Sequence, residues 1–395
     1  MSLWQKWGLA LGMLALTMAS GRSARCDEWY LEPQLRTSMQ ANDNAEMDRN
    51  GGRDVVGATL SPQLRLGHRS ELLDLDVTGG ADFNGYAVNS DLSSIDEQIA
   101  LHGAYRASEL STLSLDSGFK RDTILSNPED NSRRHAGTET VTTLSTRPSW
   151  SYRFTELDSL NFSAGYLNRT FGGSDSNGNT DYSFYDASAG WHHQFTETDG
   201  LTAGLSYGHY DPQGAGTDSA EIFNAHLGWT HDVSELLQLQ ASAGPSLRLS
   251  EGSSSGSGGS TDLGYNASIG LTYQPSELSK IQVNFTHQNE PTSNGEVQVR
   301  DRVGLTLSYQ LDERATLGVS GSYVENESGQ GTSSDDFDRY FSIEPGVTWR
   351  LEEDLDLGAS YRFQEKSFSK PSDQAMSNAV FLKLTYRAPR WSWSD

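Results

Sequence analysis

The sequence is poor in the features that stabilise a water-soluble globule of its length. Only 35% of the 395 residues are hydrophobic and only 11 are proline, whereas 39 are glycine. Leu, Ile, Val and Phe are too sparse for a large buried core, so disorder is one interpretation. The other is a closed sheet with a wet interior, in which only every second residue has to be apolar. The 16 Tyr and 9 Trp favour the closed sheet, because disordered chains contain few aromatic residues.

Cysteine and long apolar runs are also nearly absent. Cys26 is the only cysteine, so no intramolecular disulfide can form. The residues before it, Ser23-Ala24-Arg25, do not fit a lipidated cysteine, which argues against a lipoprotein. Beyond the N-terminal segment no stretch approaches the ~18 to 20 apolar residues of a membrane helix. We therefore do not expect a helical membrane protein.

The N-terminal segment has the pattern of a signal peptide. Lys6 provides the positive charge, and residues 8–18 form an apolar run that is too short to cross a bilayer as a helix. We predict a signal peptide over residues 1–23 and a mature, exported chain over residues 24–395. Cleavage is expected at Ala19-Ser20-Gly21 or at Gly21-Arg22-Ser23.

Alternation of apolar and polar residues is the dominant pattern in the mature chain, and helical periodicity is nearly absent. The clearest example is residues 262–274, where Leu263, Tyr265 and Ile269 alternate with polar or small residues. Strands of about 9 to 11 residues suffice to cross a membrane when they are tilted. We predict eighteen strands, near residues 28–41, 54–68, 72–86, 95–107, 111–122, 139–154, 159–171, 181–196, 200–210, 219–231, 236–249, 262–274, 279–289, 296–311, 315–326, 337–351, 355–367 and 376–388. The even number is typical of a transmembrane antiparallel up-and-down β-barrel, which is the predicted all-β fold class.

A turn motif recurs about every 40 residues, which is a spacing typical of a structural repeat. The stretch Arg153-Phe154-Thr155-Glu156-Leu157-Asp158 is the fullest copy. The glutamates of the eight copies are Glu71, Glu109, Glu156, Glu197, Glu235, Glu277, Glu313 and Glu353. Connections that hold this glutamate are short, and those between them are long and polar. Long outer loops and short periplasmic turns are the barrel pattern, so both termini are predicted on the periplasmic side.

Aromatic residues concentrate at the predicted strand ends, where amphipathic rings favour the headgroup level of a membrane. We predict an aromatic girdle just before the short turns, formed by Trp150, Trp191, Trp229, Tyr273, Tyr309 and Trp349. The alternative is that these residues form the core of a soluble β-sandwich.

The turn motif Arg-x-Thr-Glu-Leu-Asp-x-Leu at residues 153–160, the opening Leu31-Glu32-Pro33-Gln34-Leu35 and the later Asn42-Asp43-Asn44 together resemble a known family. The sequence is similar to β-barrel porins that are often encoded beside exopolysaccharide-synthesis genes, over essentially the whole mature chain. The resemblance implies an outer-membrane pore and a polysaccharide exit route. One departure is that the chain runs past Tyr386 to Trp391-Ser392-Trp393-Ser394-Asp395, whereas many such barrels end on an aromatic residue that the assembly machinery recognises. The assembly signal is therefore expected to be displaced or absent.

The face opposite the apolar one should line a channel. We predict a basic wall that contains Arg65, Arg106, Arg147, Arg153, Arg248, Arg300, Arg302, Arg350, Arg362, Lys383 and Arg387. Fewer acids are predicted there: Asp74, Asp76, Asp82, Asp116, Glu344 and Asp356. Because the formal charge of the chain is −24, most acids should lie in loops and turns. Rings of arginine favour anions, but each arginine could instead pair with a carboxylate and stiffen the wall. Loop 123–138 is a candidate constriction, or a plain surface loop.

Other sites are weakly supported. Residues 175–181, with Asp186 at the twelfth position, partly match a calcium loop but lack its glycine and flanking helices, so a polar loop tip is the better interpretation. Serine and nine histidines are scattered, and His192-His193 fits wall and girdle better than catalysis. No metal motif of the His-Glu-x-x-His type, phosphate loop or basic nucleic-acid cluster occurs. We predict no enzyme activity, no metal and no cofactor.

The sequence thus predicts a passive pore for polar or anionic solutes in the bacterial outer membrane, with an exopolysaccharide as one cargo. Outer-membrane lipid, lipopolysaccharide and the barrel-assembly machinery are the expected partners, with polysaccharide-export components as further candidates and no nucleic acid. The main alternative is a plugged structural or adhesive barrel whose loops bind partners. An outer-membrane hydrolase is a third, weaker hypothesis.

Overall fold

A computed structural model describes residues 27–48, 52–126, 139–172, 179–214, 218–251, 259–327, 337–368 and 374–394. In these residues nearly all of the chain is strand, in one antiparallel sheet. The strands are β1 Glu28–Asn42, β2 Val55–Arg69, β3 Leu73–Tyr86, β4 Ser94–Ser108, β5 Ser111–Thr123, β6 Thr140–Arg153, β7 Asp158–Gly172, β8 Tyr182–Gln194, β9 Asp199–Pro212, β10 Ala220–Ser234, β11 Leu237–Ser250, β12 Ser260–Ser276, β13 Ser279–Pro291, β14 Val297–Gln310, β15 Ala315–Asn326, β16 Phe337–Glu352, β17 Leu355–Phe368, β18 Gln374–Arg387 and β19 Trp391–Ser394. Two 3₁₀ turns, Ser90–Leu92 and Ile124–Ser126, follow β3 and β5.

The sheet closes on itself. Each strand pairs with its neighbours in the chain, and β1 pairs with both β2 and β18, so that Gln34 lies between Gln63 and Arg387. The predicted antiparallel barrel with eighteen strand positions is therefore confirmed. Closure removes the two free edges that an open sheet would present to other chains.

The last segment of the chain completes the closure. Short strand β19 lies in line with β18 and pairs with the first residues of β1, placing Trp391 opposite Leu31 and Trp393 opposite Trp29. The eighteen-strand prediction omitted β19 because Pro389 and the polar residues around it interrupt the alternating pattern. The segment Trp391–Ser394 thus continues the pairing of β18 with β1.

The two faces of the barrel differ as predicted. On β12, Leu263, Tyr265 and Ile269 are strongly exposed although they are large hydrophobic residues, and polar or small residues alternate with them. The same pattern of exposed large hydrophobics recurs around the barrel. Because successive strand residues point to opposite faces, the intervening polar residues share the inner face. The core of this protein is therefore not a packed centre, and its large apolar surface faces outward.

The eight short connections lie at one end of the barrel and each holds one repeated glutamate. In each copy the residue after the glutamate accepts a backbone hydrogen bond from the strand that precedes the next turn. Examples are Arg106 N to Leu72 O at 2.7 Å and Arg153 N to Leu110 O at 2.8 Å. The series continues around the barrel to Arg387 N and Asp354 O at 2.8 Å. This ring of bonds explains the 40-residue period, since each copy ties one hairpin to the next.

The turns are further stabilised by their own side chains. Thr155 Oγ1 accepts hydrogen bonds from the backbone N–H groups of Leu157 and Asp158. In the turn after β14, backbone N–H groups of Arg314 and Ala315 donate to Asp312 and lower the pKa of its carboxyl group. Such local bonds explain why Thr, Ser and Asp precede the repeated strands.

The opposite end carries the longer connections, as predicted. Loop 123–138 begins in a described 3₁₀ turn, but residues 127–138, which include the proposed constriction, lie outside the described residues. Most of the calcium-like segment, residues 173–178, also lies outside them. Its last two acids are engaged elsewhere: Asp181 accepts a bond from Phe171 N, and Asp186 pairs with Arg147.

Candidate functional site: the inner wall of the barrel

All nine arginines predicted to line a pore lie on the inner face. Their places follow from alternation with outward hydrophobics: Arg65 is flanked by exposed Leu64 and Leu66, and Arg350 lies between exposed Trp349 and Leu351. Lys383 and Arg387 share this face on β18. The structure therefore brings the predicted set onto one surface, and their role in a pore stays a prediction.

Six of these nine arginines form ion pairs with carboxylates. Arg147 and Asp186 are joined by two hydrogen bonds of 2.7 and 2.8 Å, and Arg362 meets Glu344 at 2.7 Å. The remaining pairs are Arg65 with Asp76 at 2.8 Å, Arg248 with Asp262 at 2.8 Å, Arg300 with Glu290 at 3.1 Å and Arg302 with Glu290 at 3.6 Å. Of the two roles that the sequence allows for these arginines, anion selection and stiffening of the wall, these ion pairs favour stiffening.

Arg106, Arg153 and Arg350 differ from the other six, because they form no ion pair with any residue that the structure describes. All three lie at the short-turn ends of their strands, and their backbone N–H groups belong to the ring of bonds at that end. We call these three residues the periplasmic arginines, after the side on which the short turns are predicted to lie. Their guanidinium groups are available to solutes that enter from the short-turn end.

The predicted list of inner-face acids is incomplete. The inner face also carries Glu32, Asp96, Asp122, Asp186, Asp262 and Glu290, which the sequence analysis did not place there. Strand register explains the error, because a shift of one residue moves a side chain to the other face. The wall is therefore mixed in charge, with many of its bases beside an acid.

One cross-strand row of the inner face connects several charges. Cα pairing joins Asp76 to His102, His102 to Asp116 and Asp116 to Arg147 across β3 to β6. His102 Nδ1 lies 2.6 Å from Asp116 Oδ1. These residues line a recess of about 920 Å³ in the wall. Acidic and basic residues alternate along this row, so no two carboxylates lie directly opposite each other.

Two glycines leave space for contacts that skip a strand. A Cβ atom on Gly165 of β7 would lie 2.1 Å from Asp186 Oδ1, so only glycine lets Arg147 of β6 reach Asp186 of β8 undisturbed. A Cβ atom on Gly67 of β2 would lie 2.0 Å from the Tyr30 ring, which crosses β2 to hydrogen bond Asp76 of β3. Alternation along the strands predicts that both glycines lie on the inner face. The sequence alone does not show which side chains from the flanking strands pass over them.

The first long connection folds into the barrel mouth. Met47 is only 4% exposed and packs in one cluster with Val324, Tyr340, Phe368 and Ala375 of β15 to β18. Its φ of 54° is unusual for a residue other than glycine. Asn44 Nδ2 donates to Met376 O at 2.9 Å. We call residues 43–48 and 52–54 the infolded loop; sequence reasoning missed it because its single apolar anchor lies in a polar stretch.

The β13–β14 hairpin covers another part of the mouth. Tyr210 Oη of β9 donates to Thr292 O at 2.9 Å, and Thr180 N donates to Ser293 O at 2.7 Å. Thr292 and Ser293 are almost fully buried. Since β9 is four strands from β13 in the sheet, this contact must cross the mouth. The long-loop end is thus narrowed by two described segments.

The six predicted girdle residues all lie on the outer face close to the short turns. Trp191 Nε1 donates to Asp158 Oδ1 at 3.1 Å, and Trp229 Nε1 donates to Asp199 Oδ1 at 3.2 Å. In both hairpins a histidine two residues after the tryptophan meets the same carboxylate, His193 at 2.7 Å and His231 at 2.8 Å. An apolar ring with a satisfied polar edge suits a membrane interface.

Charge is distributed unevenly around the wall. Between the two ends of the barrel, the inward residues of β9 to β13 carry amides, hydroxyls, glycines and one histidine, and no formally charged side chain. The acids and bases of these five strands lie near the ends, as with Asp232 and Lys280 at the short turns and the Arg248–Asp262 pair at the long loops. We call this middle region the uncharged sector.

Among the described residues, no group of three or more metal-binding side chains is close enough to hold an ion. A search of the same residues finds no helix of a length and apolarity that would span a membrane, a result that has no bearing on strands of a β-barrel.

No protein-family model matches this sequence, and a search of curated proteins finds no match. Solved barrels do match in shape. The FrpB iron transporter from Neisseria meningitidis, F3-3 variant, gives a TM-score of 0.50 at 8% identity, covering 91% of this chain and 81% of that chain. The F5-1 variant gives 0.49 at 10% identity, over 87% of this chain and 64% of that chain. OccAB3 of Acinetobacter baumannii gives 0.48 at 13% identity, over 92% and 99%. At such identities the likeness to the F3-3 variant shows the fold alone.

The architecture of the barrel indicates in which part of the cell the protein is located. A closed antiparallel barrel with an even number of strand positions, an apolar outer face and a polar inner face is the design of bacterial outer-membrane proteins. Its exposed hydrophobics would be costly in water and are satisfied by lipid. The chain is an outer-membrane β-barrel.

Proposed function

We propose that the barrel is a passive channel for polar solutes across the outer membrane. The observation that carries this proposal is the inner wall, which between the two ends of the barrel is lined mainly by polar side chains and includes accessible ones such as Arg147 and His102. A barrel of this strand number is wide enough to hold water where loops do not fill it. Charge pairing holds the wall rigid without closing it.

A preference for anions is the finer form of the proposal. The periplasmic arginines support it, because they have no described ion-pair partner and a low-dielectric wall focuses their field into the lumen. The six paired arginines weaken it, since each forms an ion pair with a carboxylate, although Arg300 and Arg302 share Glu290. We therefore expect a modest preference for anions, set by the periplasmic arginines.

Export of an exopolysaccharide is a further proposal. It is supported by the resemblance of the turns and of residues 31–35 to porins encoded beside exopolysaccharide genes, and by a wall rich in hydroxyl and amide groups. Deleting the gene would then reduce secreted polysaccharide while its synthesis continues.

A plugged structural barrel is the second candidate, because the infolded loop and the β13–β14 hairpin cover part of the mouth. Single-channel recording in planar bilayers separates the two. The channel proposal expects discrete conductance steps from purified, folded protein and a reversal potential on the anion side in a salt gradient. Inserted barrels that pass no current would support the plug, and cation preference would overturn the anion proposal.

A further inference from the structure

The uncharged sector contains amide groups that converge on one point of the lumen. A Cβ atom placed on Gly270 of β12 would lie 3.5 Å from Asn284 Oδ1 of β13 and 3.9 Å from Gln240 Oε1 of β11. Register places the three residues in one inward row, with Gln240 opposite Gly270 and Gly270 opposite Asn284. The glycine thus forms the floor of a notch, and the two amides form its sides.

Both amides are exposed and hydrogen bond to no residue in the described part of the chain. Each amide can donate two hydrogen bonds and accept two. Other amides of this sector are already used: Asn266 Nδ2 donates to Ala225 O and Pro245 O, and Gln238 Nε2 donates to Asp232. Gln240 and Asn284, like Gln282 in the adjacent row, therefore have their full hydrogen-bonding capacity directed at the lumen.

The surroundings of the notch determine what kind of solute it suits. Thr272 and Gln282 pair with each other in the next row toward the short turns, and Ser268 and Thr286 pair in the next row toward the mouth. All four are neutral, and the β11 residues of these two rows, Gln238 and Ser242, are neutral as well. A site of uncharged donors and acceptors recognises hydroxyl groups, which can donate and accept in turn, and gives no advantage to an ion.

We propose that Gln240 and Asn284, over Gly270, form a binding site for uncharged, hydroxyl-rich solutes, that is, neutral saccharides or neutral segments of a glycan. This inference rests on the proposed channel function and adds a substrate class to it. The charged strands around the rest of the wall would set ion preference, while this sector retains neutral sugar units long enough to interrupt the ion current.

The test is current block in planar bilayers by the neutral probe maltohexaose, compared with polyethylene glycol of equal hydrodynamic radius. We expect saccharide block at concentrations where the glycol has no specific effect. The double variant Gln240→Leu/Asn284→Leu keeps side-chain size, and loss of its hydrogen bonds should raise the half-blocking concentration about tenfold. The matched control Gln34→Leu/Gln63→Leu changes two neighbouring inner-face amides on β1 and β2 and should leave block unchanged.

A third variant keeps the test interpretable if the double variant fails to fold. Gly270→Ala adds one methyl group at ordinary contact distance from both amides, so the barrel should fold while the notch is filled. It too should weaken block, whereas Gly304→Ala, where a Cβ meets nothing within 4 Å, should not. Equal block in the wild type, Gly270→Ala and the double variant would overturn the saccharide site. A wild type that passes no current would instead overturn the channel function.

Discussion

Arg147 and Asp186 lie on strands that are not adjacent, and they meet by two hydrogen bonds of 2.7 and 2.8 Å above Gly165 of the strand between them. The contact is possible because Gly165 has no side chain, and a Cβ atom there would collide with Asp186. In this pair an acid and a base of next-nearest strands join over a glycine, whereas the other five arginine ion pairs of the predicted set join adjacent strands.

Gly165→Ala should therefore destabilise the barrel, because its Cβ would force Asp186 and Arg147 apart. We expect the free energy of unfolding to fall by about 1–2 kcal/mol, measured in urea on protein folded in lipid vesicles. Gly304→Ala is the control, since a Cβ there meets nothing within 4 Å. Equal stability of the two variants would show that the ion pair does not depend on the glycine.

Removal of residues 391–395 should weaken barrel closure. β19 pairs with residues 28–31, and its loss leaves their outer hydrogen-bonding edge free. We expect a loss of about 2 kcal/mol in the same unfolding assay, from several backbone hydrogen bonds. The variant Trp391→Ala/Trp393→Ala keeps the backbone pairing and should lose less; if it loses as much as the truncation, the two indole rings and not the backbone hold the segment.

The barrel itself could be predicted from the sequence, because alternation and turn chemistry act locally. Strand ends, the even strand number and the turn glutamates follow from residues close in the chain. The infolded loop could not be predicted, since Met47 docks on residues more than 270 positions away. The inward acids were underestimated for a related reason: Asp186 and Glu290 are recognised as wall residues only once register is known.

Asp158 should contribute more to the free energy of unfolding than an ordinary surface carboxylate does. It accepts bonds from Thr155, Trp191 and His193 at one turn. Asp158→Ala should reduce the free energy of unfolding clearly more than the control does, because three partners lose their acceptor. Glu156→Gln is the matched control: Glu156 is exposed, has no described partner, and should change stability by no more than about 0.5 kcal/mol. If both changes cost the same, the three-way contact is not a stabilising one.

The periplasmic arginines should set ion preference. Replacing Arg106, Arg153 and Arg350 by glutamine removes three uncompensated positive charges and should move the reversal potential in a salt gradient toward cations. The control Arg147→Gln/Asp186→Asn removes one base and one acid and should leave the potential unchanged. A larger shift in the control than in the triple variant would contradict the assignment.

The infolded loop should restrict current through the mouth. Met47→Ser removes the apolar anchor that holds the loop against β15 to β18, and we expect loop docking to weaken by about 2 kcal/mol, roughly a 30-fold change in equilibrium. Single channels should then spend more time in a state of higher conductance. Met39→Ser, at an outward position that is 66% exposed, serves as the control and should leave conductance unchanged. Unchanged conductance in Met47→Ser would show that the loop lies clear of the current path.

The central claim is that successive residues of each strand point alternately to lipid and to the water-filled interior. Cysteine scanning of β12 in outer membranes tests this claim most directly. Single cysteines at positions 264–273, in a Cys26→Ser background, would be treated with a membrane-impermeant maleimide. The account predicts labelling with a period of two, strong at Gly264, Asn266, Ser268, Gly270 and Thr272 and weak at Tyr265, Ala267, Ile269, Leu271 and Tyr273. Uniform labelling, or strong labelling on the odd positions, would contradict it.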